Sequence, residues 1–154
     1  MAGVYDGVGR EELWYAVKAR DLSLIRTLRS KNVCIDQFSA HGEYPLGYAA
    51  RRGFDDMVEC LLDLGSQHIN GPRFCRSPLE YAIMGHHTKT IRLLIKRGAS
   101  IHKVNQRGET LYTFALEHGT AEILDLLVVL GFQSHPIAPI YGSSSLIILA
   151  LAAS

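Results

Sequence analysis

A period of 33 residues is the feature that most constrains how this chain can fold. Sliding the sequence against itself by 33 positions aligns four sets of residues: Leu13, Leu46, Leu79 and Tyr112; Ala16, Ala49, Ala82 and Ala115; Ile25, Val58, Ile91 and Leu124; and Leu28, Leu61, Leu94 and Leu127. Such a period is typical of repeat architectures, in which each unit buries its apolar face only against its neighbours.

The stretch from Gly42 to Gly65 shows what one unit contains. Pro45 can open a short apolar helix that stops at Gly53, and a second amphipathic helix follows. Proline at the first helical position and glycine just past the end are the expected start and stop signals. The second helix is predicted to close, in successive units, at Asn32, Gly65, Gly98 and Gly131. Neither helix is long enough to be stable alone in water, so the units must stack.

Three local motifs resemble those of the ankyrin repeat family. The segments 42–46 and 77–79 resemble its G-x-T-P-L-H opening, 49–53 its A-A-x-x-G turn, and 93–99 its L-L-x-x-G-A ending. The resemblance covers about residues 9 to 154. It implies an all-α solenoid of helix-turn-helix units joined by β-turn finger loops.

The period divides the chain into segments: a leader at 1–8, repeats at 9–41, 42–74, 75–107 and 108–141, and a partial fifth repeat at 142–154. The family's histidine after the motif leucine is replaced in the four repeats by Trp14, Gly47, Glu80 and Thr113. In the family that histidine ties one loop to the next, so the resemblance does not predict the tie here. Cys75 stands where an opening glycine is usual.

Composition narrows the function classes. The chain has 154 residues, 47% of them hydrophobic, and a net charge of +1, which favours a packed core over disorder and gives no overall attraction to nucleic acid or anionic lipid. No secretory signal is visible, and the longest apolar run, 146–153, is too short to span a bilayer. Three cysteines without a CxxC pair favour a reducing compartment, cytosol or nucleus.

No motif predicts catalysis, a cofactor or a metal site. His86 and His87 are adjacent, but in the repeat register they fall at the turn between helices, where a structural role is expected. Cys60 falls among core positions, where a buried, inert thiol is the ordinary case. The ladder Tyr15, Tyr48, Tyr81 and Phe114 admits a ligand-stacking stripe, although packing between helices is the favoured interpretation. We therefore expect no enzyme.

The resemblance implies a protein-binding surface made of finger-loop tips and the ends of the first helices. Carried over position by position, the predicted protein-binding residues are His41, Glu43, Arg51, Arg52, Arg73, Phe74, Arg76, Met84, Gln106, Arg107, Glu109, Glu117 and His118, with Ala40 and Gly85 at the remaining positions. Arginine and aromatic residues commonly anchor interfaces. One hypothesis is that repeats two to four clasp an acidic peptide with an apolar anchor against Phe74. The alternative is that these side chains are only solvated.

Two functions remain open for such a module. One is the recognition segment of a larger adaptor or scaffold, for example a ubiquitin-ligase substrate receptor. The other is a stand-alone inhibitor that blocks a kinase or another enzyme. The apolar end at 146–153 favours a fragment of a longer chain over a complete inhibitor, and self-association through that end is a further alternative. Nucleic-acid and membrane binding are not expected.

Overall fold

The computed structural model describes residues 9–131, and within them every regular element is an α-helix. The eight helices are α1 Arg10–Ala19, α2 Leu22–Ser30, α3 Pro45–Arg52, α4 Asp55–Asp63, α5 Pro78–Met84, α6 Thr88–Lys96, α7 Leu111–His118 and α8 Ala121–Gly131. Each odd-numbered helix packs against the even-numbered helix that follows it. The prediction of an all-α solenoid is confirmed for this part of the chain.

The four helix pairs stack into two layers. Helices α1, α3, α5 and α7 contact their neighbours along one layer, and α2, α4, α6 and α8 contact theirs along the other. We call the connections loop A (31–44), loop B (64–77) and loop C (97–110). The aligned alanines at the pair interfaces, such as Ala16, Ala49 and Ala82, are fully buried, which lets the helices approach closely.

The helices begin and end where local chemistry predicts. Pro45 and Pro78 occupy first-turn positions, and the Asp21 side chain accepts the Leu24 N–H at 2.9 Å to cap α2. Asn32, Gly65 and Gly98 take positive φ after the second helix of their pairs, as predicted. The N–H of the next residue then bonds back into the helix, for example Ser66 to the Leu61 carbonyl at 3.0 Å.

The prediction that Gly131 lies just past the end of its helix is wrong. Helix α8 includes Gly131. In the 33-residue register the last residue of α4, Asp63, aligns with Val129, so α8 extends two residues further than α4. In the earlier pairs the helix is closed by the residue after the left-handed position. The corresponding donor would be residue 132, outside the described residues, as are the predicted leader, the end of the fourth repeat and the partial fifth repeat.

The second layer alternates in charge from one helix to the next, a pattern the period alone does not reveal. The charged residues of these helices are Arg26 and Arg29 on α2; Asp55, Asp56, Glu59 and Asp63 on α4; Lys89, Arg92 and Lys96 on α6; and Glu122 and Asp125 on α8. Basic and acidic helices therefore lie side by side along the stack. Individual surface ion pairs contribute only about 0–1 kcal/mol, but an ordered series favours this neighbour order.

Ion pairs cross the boundaries between these helix pairs. Arg20 donates to both carboxylate oxygens of Asp56 at 2.9 Å, Lys89 lies 3.3 Å from Asp55, and Arg97 pairs with Asp63. Partial burial raises the pKa of Asp56, but hydrogen bonds from Arg20 and from backbone N–H groups outweigh it and lower that pKa below its usual value. The Asp56 carboxylate therefore stays ionised, and keeps its ion pair with Arg20, to a lower pH than an ordinary aspartate would.

Three hydrogen bonds tie loops A, B and C into the stack, each by different chemistry. Trp14 Nε1 donates to the Gln37 carbonyl in loop A at 3.1 Å, the Tyr44 hydroxyl donates to the Arg76 carbonyl in loop B at 2.7 Å, and Asn105 Nδ2 in loop C donates to Glu80 Oε1 at 3.1 Å. Trp14 and Glu80 occupy the position of the motif histidine. The loop tie that the resemblance did not predict is therefore present.

In the second repeat Tyr44, rather than the residue at the histidine position, makes the tie to the next loop. Gly47 occupies the histidine position, and a Cβ there would lie 2.6 Å from Tyr44 Cζ. The Tyr44 ring thus fills the space above Gly47 and delivers the hydrogen bond to loop B. Burial raises the pKa of Tyr44 above its ordinary value, so its hydroxyl stays protonated as a donor.

Candidate functional site

Loops B and C enclose the two adjoining clefts that we take as the candidate site. The larger has a volume of about 280 Å³ and is lined by Pro72, Arg73, Phe74, Cys75, Ser77, Glu80, Ser100, Lys103, Val104, Asn105, Gln106, Glu109 and Leu111. The smaller, of about 130 Å³, is lined by Phe74, Cys75, Arg76, Glu80, Asn105, Gln106, Arg107, Glu109 and Phe114. Six residues line both clefts, so they form one continuous depression, the interloop groove.

Loop B differs from its neighbours at one position of the period. Ser39 in loop A and Asn105 in loop C each donate a backbone N–H across the turn, to the carbonyls of Glu43 at 2.8 Å and Glu109 at 2.9 Å. Their side chains also accept backbone N–H groups of the turn. The corresponding residue of loop B is Pro72, which has no N–H and no polar side chain. Loop B therefore keeps the turn bond from the Cys75 N–H to the Pro72 carbonyl, at 3.2 Å, but can make neither of the other two bonds.

The consequence appears at Phe74, two residues further on. In loops A and C this turn ends on a left-handed glycine, Gly42 or Gly108, with φ of +75° and +76°. In loop B the aligned residue is Cys75, and positive φ occurs instead at Gly71, at +77°, and at Phe74, at +67°. A bulky side chain at positive φ is rare and costs about 1–2 kcal/mol. The side chain is also 78% exposed, so its own burial does not offset this cost.

Phe74→Gly is expected to be more stable than Phe74→Ala by about 1 kcal/mol, because glycine accepts positive φ without a Cβ clash. At an ordinary backbone position the order is reversed, since glycine loses more conformational entropy on folding. Chemical denaturation of the two variants measures the difference. If the alanine variant is the more stable one, Phe74 is not held in the left-handed region.

A hydrogen-bonded network forms the floor of the interloop groove. Glu80 is buried, and its Oε2 accepts from the Ser77 N–H at 2.7 Å and from the Ser77 hydroxyl at 3.0 Å as a capping box for α5. Asn105 Nδ2 bridges Glu80 at 3.1 Å and Glu109 Oε2 at 2.7 Å. Both carboxylates are thus held by donors from the chain itself, and this floor fixes loop C against α5.

The groove brings together six of the thirteen predicted binding residues: Arg73, Phe74, Arg76, Gln106, Arg107 and Glu109. Arg73 and Arg76 also lie over aromatic rings, at 5.5 Å from the Phe74 centroid and 5.8 Å from the Phe114 centroid. Arg51 lies apart from this set and pairs with Glu43 at 3.6 Å. These two form a second small cluster at the end of loop A and α3.

The remaining predicted residues do not line the groove. Arg52 lies over Phe54 at 5.9 Å, and the His118 ring packs on Phe114 with Nε2 at 3.7 Å from Glu117. His41 and Met84 are exposed. Sequence reasoning missed ten residues that line the groove: Pro72, Cys75, Ser77, Glu80, Ser100, Lys103, Val104, Asn105, Leu111 and Phe114. The feature of the sequence that pointed to this region was Pro72, which stands at the register position of Ser39 and Asn105.

The other candidates of the sequence take structural roles. His86 has a φ of +57°, and His87 Nε2 donates to the Arg51 carbonyl at 3.1 Å, as expected of the turn between helices. Cys60 is buried, which raises the pKa of its thiol. In the aromatic ladder, Tyr48 packs edge-on against Trp14 and Phe114 is buried, whereas Tyr15 is exposed.

A sequence profile described as ankyrin repeats in three copies matches residues 13–105, which is more than half of the chain. The chain belongs to the ankyrin repeat family. Ankyrin repeats generally mediate protein–protein interactions and are typically non-catalytic. The fourth helix pair, which starts at Leu111, lies beyond the matched residues.

Three proteins illustrate the similarity. The ankyrin repeat protein nuc-2 of Neurospora crassa is 31% identical over 102 residues, 64% of this chain and 9% of nuc-2. A Rickettsia bellii protein named for ankyrin repeats is 29% identical over 122 residues, 78% of this chain and 67% of the relative. A Fowlpox virus protein, also named for ankyrin repeats, is 27% identical over 137 residues, 77% of this chain and 26% of the relative.

Two kinds of feature are absent from the residues that the structure describes. Between residues 9 and 131, no helix is both long and apolar enough to cross a membrane. In the same residues, no group of three or more His, Cys, Asp or Glu side chains is placed to hold a metal ion.

Proposed function

We propose that this ankyrin repeat chain is a non-catalytic module that binds an acidic segment of a partner protein at loops B and C. The observation that carries the proposal is Phe74, a largely exposed aromatic side chain at a strained backbone position beside a groove of about 280 Å³. Strain of this kind persists where a function requires the side chain and the surroundings compensate for the cost.

The charges around Phe74 support an acidic partner. Arg73 and Arg107 are exposed and Arg76 is half-buried, and none of the three lies within ion-pair distance of a carboxylate in residues 9–131. The nearby carboxylates of Glu80 and Glu109 already accept hydrogen bonds from within the chain. Guanidinium groups without a carboxylate partner can each form two parallel hydrogen bonds with one.

Arg73→Glu/Arg107→Glu is expected to weaken partner binding by about tenfold or more, since charge reversal replaces attraction with repulsion at two contact points. The matched control is Arg10→Glu/Lys31→Glu, which makes the same change in net charge at exposed residues that do not line the groove. Proteins captured from cytosolic extract by each immobilised variant are compared by mass spectrometry. Proteins retained equally by wild type and both variants would contradict the proposal.

We further propose that residues 142–154 begin a fifth repeat and that the module is the recognition segment of a larger adaptor, for example a ubiquitin-ligase substrate receptor. Support comes from Leu116 on α7, which is 54% exposed, whereas its counterparts Val17, Ala50 and Ile83 are all 0% exposed. Those counterparts are covered by the next helix pair. The face of α7 therefore has the composition of a stacking surface rather than of a polar cap.

Leu116→Ser tests this arrangement in the full chain. If a fifth repeat covers α7, the variant is expected to lose at least about 1 kcal/mol of unfolding free energy, because a buried leucine is replaced by a hydroxyl. Ile83→Ser provides the reference for a covered position. A change within about 0.5 kcal/mol would mean that the face is open and would favour the stand-alone inhibitor.

A further inference from the structure

The interloop groove carries opposite charges at its ends and its centre. One end is lined by Arg73 and Lys103, and the other by Arg76 and Arg107. Between them, both clefts share the carboxylates of Glu80 and Glu109. A ligand that follows the groove thus meets two cations, then a negatively charged floor, then two cations again.

Hydrogen bonds within the chain determine which charged groups of the groove remain available to a ligand. Glu80 accepts hydrogen bonds from Ser77 and Asn105 on both of its carboxylate oxygens, so it does not require a cation from a ligand. Lys103 Nζ uses one of its three protons on the Asn70 carbonyl at 2.7 Å. None of the four end cations is within ion-pair distance of a carboxylate in residues 9–131. The ends therefore remain free to bind anions, whereas the centre repels them.

Apolar side chains line the larger cleft and its junction with the smaller one. Phe74, on loop B, lines both clefts and is 78% exposed, whereas Val104, 50% exposed on loop C, and Leu111 line the larger cleft. Burying these two exposed side chains against an apolar group would be favourable by about 25 cal/mol for each Å² removed from water. An acidic group at the same place would face Glu80 and Glu109. The centre thus selects an uncharged, apolar side chain.

We infer that the interloop groove binds an extended segment of the partner in which one apolar side chain is flanked on both sides by acidic residues. This rests on the proposed function and adds to it the pattern that the partner must present. Arg73 and Lys103 bind the acidic residue on one side, and Arg76 and Arg107 bind the one on the other. Phe74 and Val104 hold the apolar side chain between them.

A displayed library of random ten-residue peptides tests the inference with the full chain. Wild type is expected to enrich peptides with acidic residues on both sides of an apolar one. Phe74→Gly, which relieves the backbone strain and keeps the fold, is expected to lose the apolar preference and retain the acidic one. Arg73→Glu/Lys103→Glu and Arg76→Glu/Arg107→Glu are each expected to lose the acidic preference on one side only. The control Arg10→Glu/Lys31→Glu is expected to lose neither.

Three results would overturn the inference: no enriched peptide, enriched peptides without flanking acidic residues, or identical preferences for the two end variants. The outcome is separable from that of the proposed function. If extract proteins are captured in an Arg73- and Arg107-dependent manner while the library shows no such pattern, the module binds an acidic surface but not this linear segment. If neither experiment depends on these arginines, both proposals fail.

Discussion

Leu61→Ala is expected to lower the free energy of unfolding by about 2–5 kcal/mol. Leu61 on α4 is 0% exposed, and its counterparts Leu28, Leu94 and Leu127 are all buried at the same register. Truncation removes favourable transfer free energy and leaves a cavity that the surrounding helices close only in part. The effect is large because α4 packs against α2 and α6 as well as α3, so one cavity weakens contacts with the pairs on both sides.

Guanidinium chloride denaturation measures this change, provided that the slope of the unfolding free energy against denaturant concentration is the same in both proteins. Glu59→Ala provides the control, since Glu59 lies on the exposed face of the same helix and its removal should change stability by less than about 0.5 kcal/mol. A loss below about 1 kcal/mol for Leu61→Ala would show that the 33-residue register is misassigned at this position.

Gly47→His is expected to destabilise the protein by about 1–3 kcal/mol because the site becomes overpacked. Tyr44→Thr is expected to cost about 3–5 kcal/mol because a large buried ring is lost. The two substitutions together should cost less than the sum of these values. A Cβ on Gly47 meets the Tyr44 ring at 2.6 Å, and Tyr44 is only 1% exposed. The double variant has the Thr-Pro-Leu-His motif of the family, and its histidine is expected to occupy the space that the tyrosine ring leaves.

A double-mutant cycle isolates the coupling between the two positions, which we expect to be about 2–3 kcal/mol in favour of the pair. Combining Gly47→His with Leu127→Ala, in the last described helix pair, should be additive within about 0.5 kcal/mol. Additivity of the Tyr44 and Gly47 substitutions would show that the Tyr44 ring does not fill the space above Gly47.

Much of the fold followed from the sequence because its determinants are local or periodic. The 33-residue spacing of Leu13, Leu46 and Leu79 predicted which side chains are buried, and each of them is. The left-handed ends at Asn32, Gly65 and Gly98 followed from residue type, since glycine and asparagine adopt that conformation most readily. The predicted binding residues could be placed at loop tips and helix ends, although which of them lie together could not be deduced.

Contacts between units were decided only in the tertiary structure. Three chemically different ties, from Trp14, Tyr44 and Glu80, hold the loops where the motif histidine was missing, because a bond to the next loop depends on which donors and acceptors the stacking brings within reach.

The periodicity of this sequence thus determined the repeat, its two helices and their buried faces, since these depend on hydrophobic spacing and on backbone preferences of single residues. The tertiary structure decided the site. Pro72 removes one hydrogen bond from loop B, Phe74 adopts positive φ one position before the register of Gly42 and Gly108, and a groove lies between loops B and C. Pro72 marks loop B as unusual in the sequence, but the groove depends on how two loops 33 residues apart pack together, which no local pattern specifies.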